Sequence, residues 1–156
     1  MRNAIKLITS ITACNIAGVA GALATSPNTV WFNTINKPSF QPPNWVFGPV
    51  WTLLYTLMGI AIYQFWREGF NTPERKKALG IFILQFTLNT GWSFVFFGMQ
   101  QIGWALVEII ILWFAIVWCI QIFYTQQKIA AWLMIPYLLW VSFALFLNFT
   151  LWQLNS

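Results

Sequence analysis

The side chains of this 156-residue sequence best suited to chemistry are rings and amides, not charges. It holds 11 Trp, 15 Phe and 4 Tyr but neither His nor Asp. Histidine–carboxylate metal sites, Ser-His-Asp and Cys-His machinery and Asp dyads are therefore excluded, and no metal site is expected. Trp51 and Tyr55 lie four apart, Asn89 and Trp92 three apart, and Ala144 falls midway between Trp140 and Asn148, which are eight apart. Such spacings put each set on one face of a helix. Rings with a few placed amides make a pocket wall for a flat apolar ligand, and the small Ala144 leaves a slot between the Trp140 ring and the Asn148 amide. Taken singly, Asn89 and Asn148 could equally tie helices together by hydrogen bonds.

The elements that must position these residues are set by the solvent of the chain. Charged residues make up 7% of the sequence, against about 25% in soluble domains, and the mean hydropathy is +0.67. Apolar windows fall at 5–24, 46–66, 78–98, 102–124 and 130–152. A helix of ~21 residues at ~1.5 Å each crosses a bilayer core, whereas a membrane barrel would need short, strictly alternating segments. The expected fold is all-α, a single domain over 1–156: an integral membrane bundle of five transmembrane helices. The first window, with Arg2, Lys6 and the following Ala22-Leu23-Ala24, also imitates a cleavable signal peptide. The small residues Ala13, Ala17 and Gly21, with Gly18 and Ala22 beside them, favour an uncleaved packing helix.

Arg2, Lys6, Arg67, Arg75, Lys76, Lys77 and Lys128 share one side of such a bundle, and only Lys37 lies on the other. The positive-inside rule then places the N-terminus in the cytoplasm of a multi-pass cell-membrane protein. The net charge of +5 forms no dense patch, so no nucleic-acid partner is expected. Segment 25–45 is too polar to span and too long for a connector, and Trp31, Phe32 and Trp45 argue for order, so it reads as a lid. Ser26-Pro27 could start a short helix within it.

The other indoles have plainer roles. Trp66, Trp104, Trp132 and Trp152 sit at span ends, where an aromatic belt is expected, and Trp113 and Trp118 read as packing or lipid contacts. Glu108 is the only acid inside a span. It is read as a protonated or hydrogen-bonded carboxyl facing another helix, with a proton or ligand site as the sharper alternative. Pro49 and Pro136 fall inside helices and can widen the bundle locally. Cys14 and Cys119 read as small buried hydrophobes.

Longer motifs carry a resemblance. The run from Lys37 to Thr52 (KPSFQPPNWVFGPVWT), continuing through Leu54-Tyr55 to Met58-Gly59, is similar to the signature of the TspO/MBR family, the translocator proteins once called peripheral benzodiazepine receptors. So are NTGWSFVFFG from Asn89 to Gly98, GWALVE from Gly103 to Glu108, and PYLLWVSFA from Pro136 to Ala144 with Leu147-Asn148. The resemblance covers nearly the whole chain, and the absence of a long extension suggests a bacterial member. It implies a five-helix homodimer in the lipid bilayer, with a pocket closed by the loop between the first two spans.

The resemblance also implies binding of protoporphyrin IX or related tetrapyrroles and of synthetic isoquinoline carboxamide and benzodiazepine-type ligands, in porphyrin and stress regulation. The ligand-binding set is then Trp31, Trp51, Tyr55, Asn89, Trp92, Trp140, Ala144 and Asn148. Trp51 and Trp140 correspond to the residues implicated in a light- and oxygen-dependent porphyrin degradation, so they are the catalytic candidates. The family's cholesterol pattern is broken here by Phe149 and Gln153. Without His, a metal-free porphyrin held by stacking suits the inventory better than ligated haem, and no resident cofactor is expected, the porphyrin being ligand or substrate. Porphyrin transport is the alternative, lowered by the lack of an inverted repeat. A purely structural subunit is a third reading.

Overall fold

The computed structural model describes residues 2–25 and 29–156. Its helices are α1 (Arg2–Thr25), α2 (Thr29–Thr34), α3 (Asn44–Glu68), α4 (Pro73–Ser93), α5 (Ile102–Gln126) and α6 (Lys128–Asn155), and a π-helical turn, Phe94–Gly98, extends α4. No strand occurs among the described residues. Five of these helices are long and apolar enough to cross a membrane. The expected spans are all present and run a few residues past the apolar windows. The largest difference is at α4, whose first turns, PERKK, are helical but too polar to register as hydrophobic. Thr72 caps that end, its hydroxyl accepting the Arg75 N–H at 3.3 Å, with Pro73 in the first turn where a missing N–H costs nothing. The preceding helix stops at Gly69, whose φ of 93° is open to glycine at little cost.

The spans form a ring in which α1 packs on α3, α3 on α6, α6 on α5, α5 on α4, and α4 returns to α1. Pro49 and Pro136 lie inside α3 and α6, as expected. At the end of the bundle where α1 begins, Glu68 accepts from Arg75 and Gln127, tying the α3–α4 turn to the α5–α6 turn. Toward the end where α1 begins, large side chains occupy the centre of the bundle. Met58, Phe65, Gln85, Phe123 and Met134 have no exposed surface, and the rings of Phe65 and Phe123 lie 4.5 Å apart. Cys14 and Cys119 are free and buried, as the sequence suggests.

Small residues of α1 serve contacts within the chain. Gly18 lies under the Tyr55 ring so closely that a Cβ there would overlap it, and Gly21 is buried against Thr90. Close approach of this kind is what glycine permits in lipid, where no water drives helices together. Trp66, Trp104, Trp132 and Trp152, the indoles expected at span ends, are all exposed. Trp113 is half-buried and donates its N–H to Ser142 Oγ at 2.8 Å, a packing role, while Trp118 faces outward.

Candidate functional site

The lid differs in detail from a plain loop over 25–45. Thr25 ends α1, Asn44 and Trp45 open α3, and the segment between carries α2. Trp45 is therefore not a lid residue; it sits in the first turn of α3 and is 74% exposed. The suggested start at Ser26-Pro27 lies outside the described residues. Phe32 of α2 turns inward, edge-on to Phe97 at 5.5 Å and to Phe96 at 6.0 Å. The π turn is what brings those partners up. One extra residue per turn re-aims the end of α4, so that Phe96 becomes buried and stacks on Trp92 at 4.9 Å.

The free end of the lid is fastened to the C-terminal end of α6. Asn155 Oδ1 accepts the Asn36 backbone N–H, and Asn155 Nδ2 donates to the Asn36 carbonyl, both at 2.9 Å. An amide side chain thus copies a strand pairing across 119 residues of sequence. Phe40 stacks on Phe146 beside it at 5.3 Å.

Beneath this lid lies a cavity of about 450 Å³ walled by α1, α2, α3, α4 with its π turn, and α6. That size falls within the range of small-molecule sites, roughly 300–1,000 Å³. Trp51, Tyr55, Asn89, Trp92, Trp140, Ala144 and Asn148 all line it, so three helices deliver the rings and amides that helical spacing grouped together. Trp31 does not. Its ring packs edge-on against Phe96 at 5.7 Å, behind the wall, and its neighbour Phe32 takes the cavity face. On a short helix one residue of offset turns the side chain by about 100°, and sequence alone did not fix that phase.

The polar groups that line the floor are bonded to protein groups, while Gln85 beneath them leaves its Oε1 buried and unpartnered. The Tyr55 hydroxyl donates to Asn89 Oδ1 at 2.8 Å, and Asn89 Nδ2 donates to Tyr137 Oη at 3.0 Å, linking α3, α4 and α6. Trp92 Nε1 donates to Asn148 Oδ1 at 3.0 Å, and Asn148 Nδ2 donates to the Ile102 carbonyl at 3.0 Å, which brings in α5. Asn89 and Asn148 therefore do both things the sequence allowed: they tie helices and they face the cavity. The Trp51 and Trp140 indoles, by contrast, have no hydrogen-bond partner among the described residues. Trp51 stacks on Tyr55 at 5.5 Å, and Trp140 meets Phe47 edge-on at 5.8 Å.

Several wall residues escaped sequence reasoning. Phe47 lies four residues before Trp51 and could have been found by extending the α3 face. Tyr137, three before Trp140, is fully buried and anchors Asn89 without lining the cavity. Asn44, in the first turn of α3 and three before Phe47, continues that α3 face, whereas Gln41 also belongs to the wall and nothing in the periodicity of a loop reveals it. Glu108 faces another helix, as both of its readings require. Its carboxyl lies against the backbone of Gly91 on α4, away from the cavity wall, with Oε2 buried and unpartnered.

Comparison with known proteins follows the same lines. A model of the TspO/MBR family matches residues 10–153. The chain is 44% identical over 155 residues to the tryptophan-rich protein TspO of Archaeoglobus fulgidus, covering 99% of each chain. It is 40% identical over 126 residues to the translocator protein of Homo sapiens, covering 80% of this chain and 75% of that one. With the tryptophan-rich sensory protein of Cereibacter sphaeroides it shares 34% identity over 149 residues, covering 95% and 90%.

Proposed function

This chain belongs to the TspO/MBR family, and on that footing we propose that it is a membrane receptor for tetrapyrroles, with protoporphyrin IX as the probe ligand, acting in porphyrin and stress regulation. The observation that carries this reading is the state of the indoles. Trp92 spends its N–H on Asn148, whereas Trp51 and Trp140 line the same cavity with theirs uncommitted. Flat faces and two spare donors suit a planar macrocycle of conjugated rings, each aromatic contact adding roughly 0.5–1.5 kcal/mol beyond burial. Isoquinoline carboxamide and benzodiazepine-type molecules, flat and with one or two acceptors, suit the same wall. The ligand is held without a metal bond, by stacking and hydrogen bonds alone.

Trp51 and Trp140 are the candidates for light- and oxygen-dependent degradation of the porphyrin. An indole against a photo-excited macrocycle is placed to pass an electron, with dioxygen as the oxidant. Binding in place is favoured over transport by the floor of the cavity: below Asn89, the fully buried Met58, Gln85, Phe65 and Phe123 fill the bundle. Seven of the eight basic residues lie at the end where α1 begins, so that end faces the cytoplasm and the lid faces outward. A homodimer within the bilayer completes the proposal.

Illumination of the detergent-solubilised full chain with protoporphyrin IX tests the chemical part. Loss of the porphyrin spectrum that disappears in Trp51→Phe and Trp140→Phe, while binding persists, supports it. Equal decay in wild type and both variants overturns it. Vectorial movement of porphyrin in sealed liposomes would favour transport instead.

A further inference from the structure

We propose that the lid end of the cavity is a carboxylate-reading rim, so that a tetrapyrrole lies with its propionate edge toward Lys37 and Gln41 and its apolar edge toward the floor. This rests on the tetrapyrrole reading above and adds an orientation and a selectivity to it. The side-chain amides that line the floor are bonded while the Gln41 amide at the lid is not; the Trp51 and Trp140 N–H groups and, beneath the wall, Gln85 Oε1 are the other unmatched groups. At the floor, Tyr55, Asn89, Tyr137, Trp92 and Asn148 are bonded to protein groups. At the lid, both polar atoms of the Gln41 side chain, Oε1 and Nε2, are buried in the wall with no partner. A buried amide with neither donor nor acceptor matched is destabilising, and native structures hold few of them. Both atoms are covered in the ligand-free wall, so a ligand carboxyl supplies what Gln41 lacks once that side chain turns toward the cavity.

The charge at this end agrees. Lys37 is the only basic residue on the lid side of the bundle. Its ammonium stands 4.8 Å above the ring of Phe32, and Phe32 lines the same cavity. No described carboxylate side chain pairs with it: Glu68 and Glu74 lie at the opposite end, and Glu108 lies against Gly91. The Gln41 N–H donates to the Pro38 carbonyl at 3.1 Å, closing a turn that holds Lys37 and Gln41 on its two flanks. A cation held over a wall ring and an unmatched wall amide one turn apart are complementary to an ionised carboxylate on a flat apolar body.

The test is a titration of the full chain in detergent with protoporphyrin IX and with its dimethyl ester, for wild type, Lys37→Gln and Gln41→Leu. Wild type is expected to favour the free acid by about tenfold, and each variant to reduce that preference about threefold or more. Ligand-free Gln41→Leu should melt at or above the wild-type temperature, because it removes two unmatched polar atoms and no hydrogen bond. Equal affinity of wild type for acid and ester overturns the rim, as does a preference that survives in both variants. A lowered melting temperature in Gln41→Leu with the preference intact would assign that residue a structural role and also overturn it. If wild type binds neither porphyrin, the tetrapyrrole reading itself falls.

Discussion

The Trp92 indole N–H donates to Asn148 Oδ1 at 3.0 Å, joining α4 to α6 directly beneath the lid. Asn148 is 1% exposed, so this acceptor has no water to fall back on. Three indoles surround one cavity, and this bond divides them into one that builds it and two that face what enters it.

That division predicts unequal costs for one substitution. Trp92→Phe strands the Asn148 oxygen and should lower stability by about 1–3 kcal/mol. Trp51→Phe and Trp140→Phe break no hydrogen bond to the described residues, so each loses ring area alone and should cost clearly less. Unfolding of the three variants in one detergent reads the difference; equal costs would mean that the Trp92–Asn148 bond contributes nothing special.

Asn89 makes a second, sharper case. Asn89→Leu leaves the Tyr137 hydroxyl, which has no exposed surface, without a partner, at an expected loss of about 1–3 kcal/mol. Adding Tyr137→Phe to that background should recover part of the loss, since removing both partners of a buried bond is nearly neutral. A double-mutant cycle measures the coupling. Strictly additive losses would contradict a shared network.

The paired hydrogen bonds between Asn36 and Asn155 fasten the lid without touching the cavity wall. Asn155→Ala is expected to raise both the association and the dissociation rate of a cavity ligand by about threefold to tenfold, leaving the dissociation constant almost unchanged. Stopped-flow quenching of tryptophan fluorescence follows both rates. A change in affinity with constant association rate would place the residue in binding, not in access.

Helical periodicity alone makes most of this site legible in the sequence. Trp51 with Tyr55, Asn89 with Trp92, and Trp140 with Ala144 and Asn148 needed only the three-and-four rule and a ring of antiparallel spans. What stayed hidden belongs to irregular backbone. Trp31 and Phe32 exchanged roles because a six-residue helix offers no long apolar stripe to set its phase. Gln41 entered the wall through a Pro-rich turn whose path periodicity does not describe. The π turn at Phe94–Gly98 reads in sequence as a continuing α-helix, and its re-aimed Phe96 was invisible for that reason. The dual role of the two asparagines was hidden differently: tying helices and facing a pocket require the same residue at the same depth.

Ala144 gives the most direct test of the whole account. It lines the cavity on α6 between the Trp140 ring and the Asn148 amide, and a larger side chain there fills the slot while leaving every hydrogen bond of the floor in place. Protoporphyrin IX titrated into the solubilised wild-type chain should bind saturably, one per chain. Ala144→Leu should weaken that binding at least about tenfold, with its melting temperature kept. Wild-type affinity in a folded Ala144→Leu variant would contradict the placement of the ligand in this cavity.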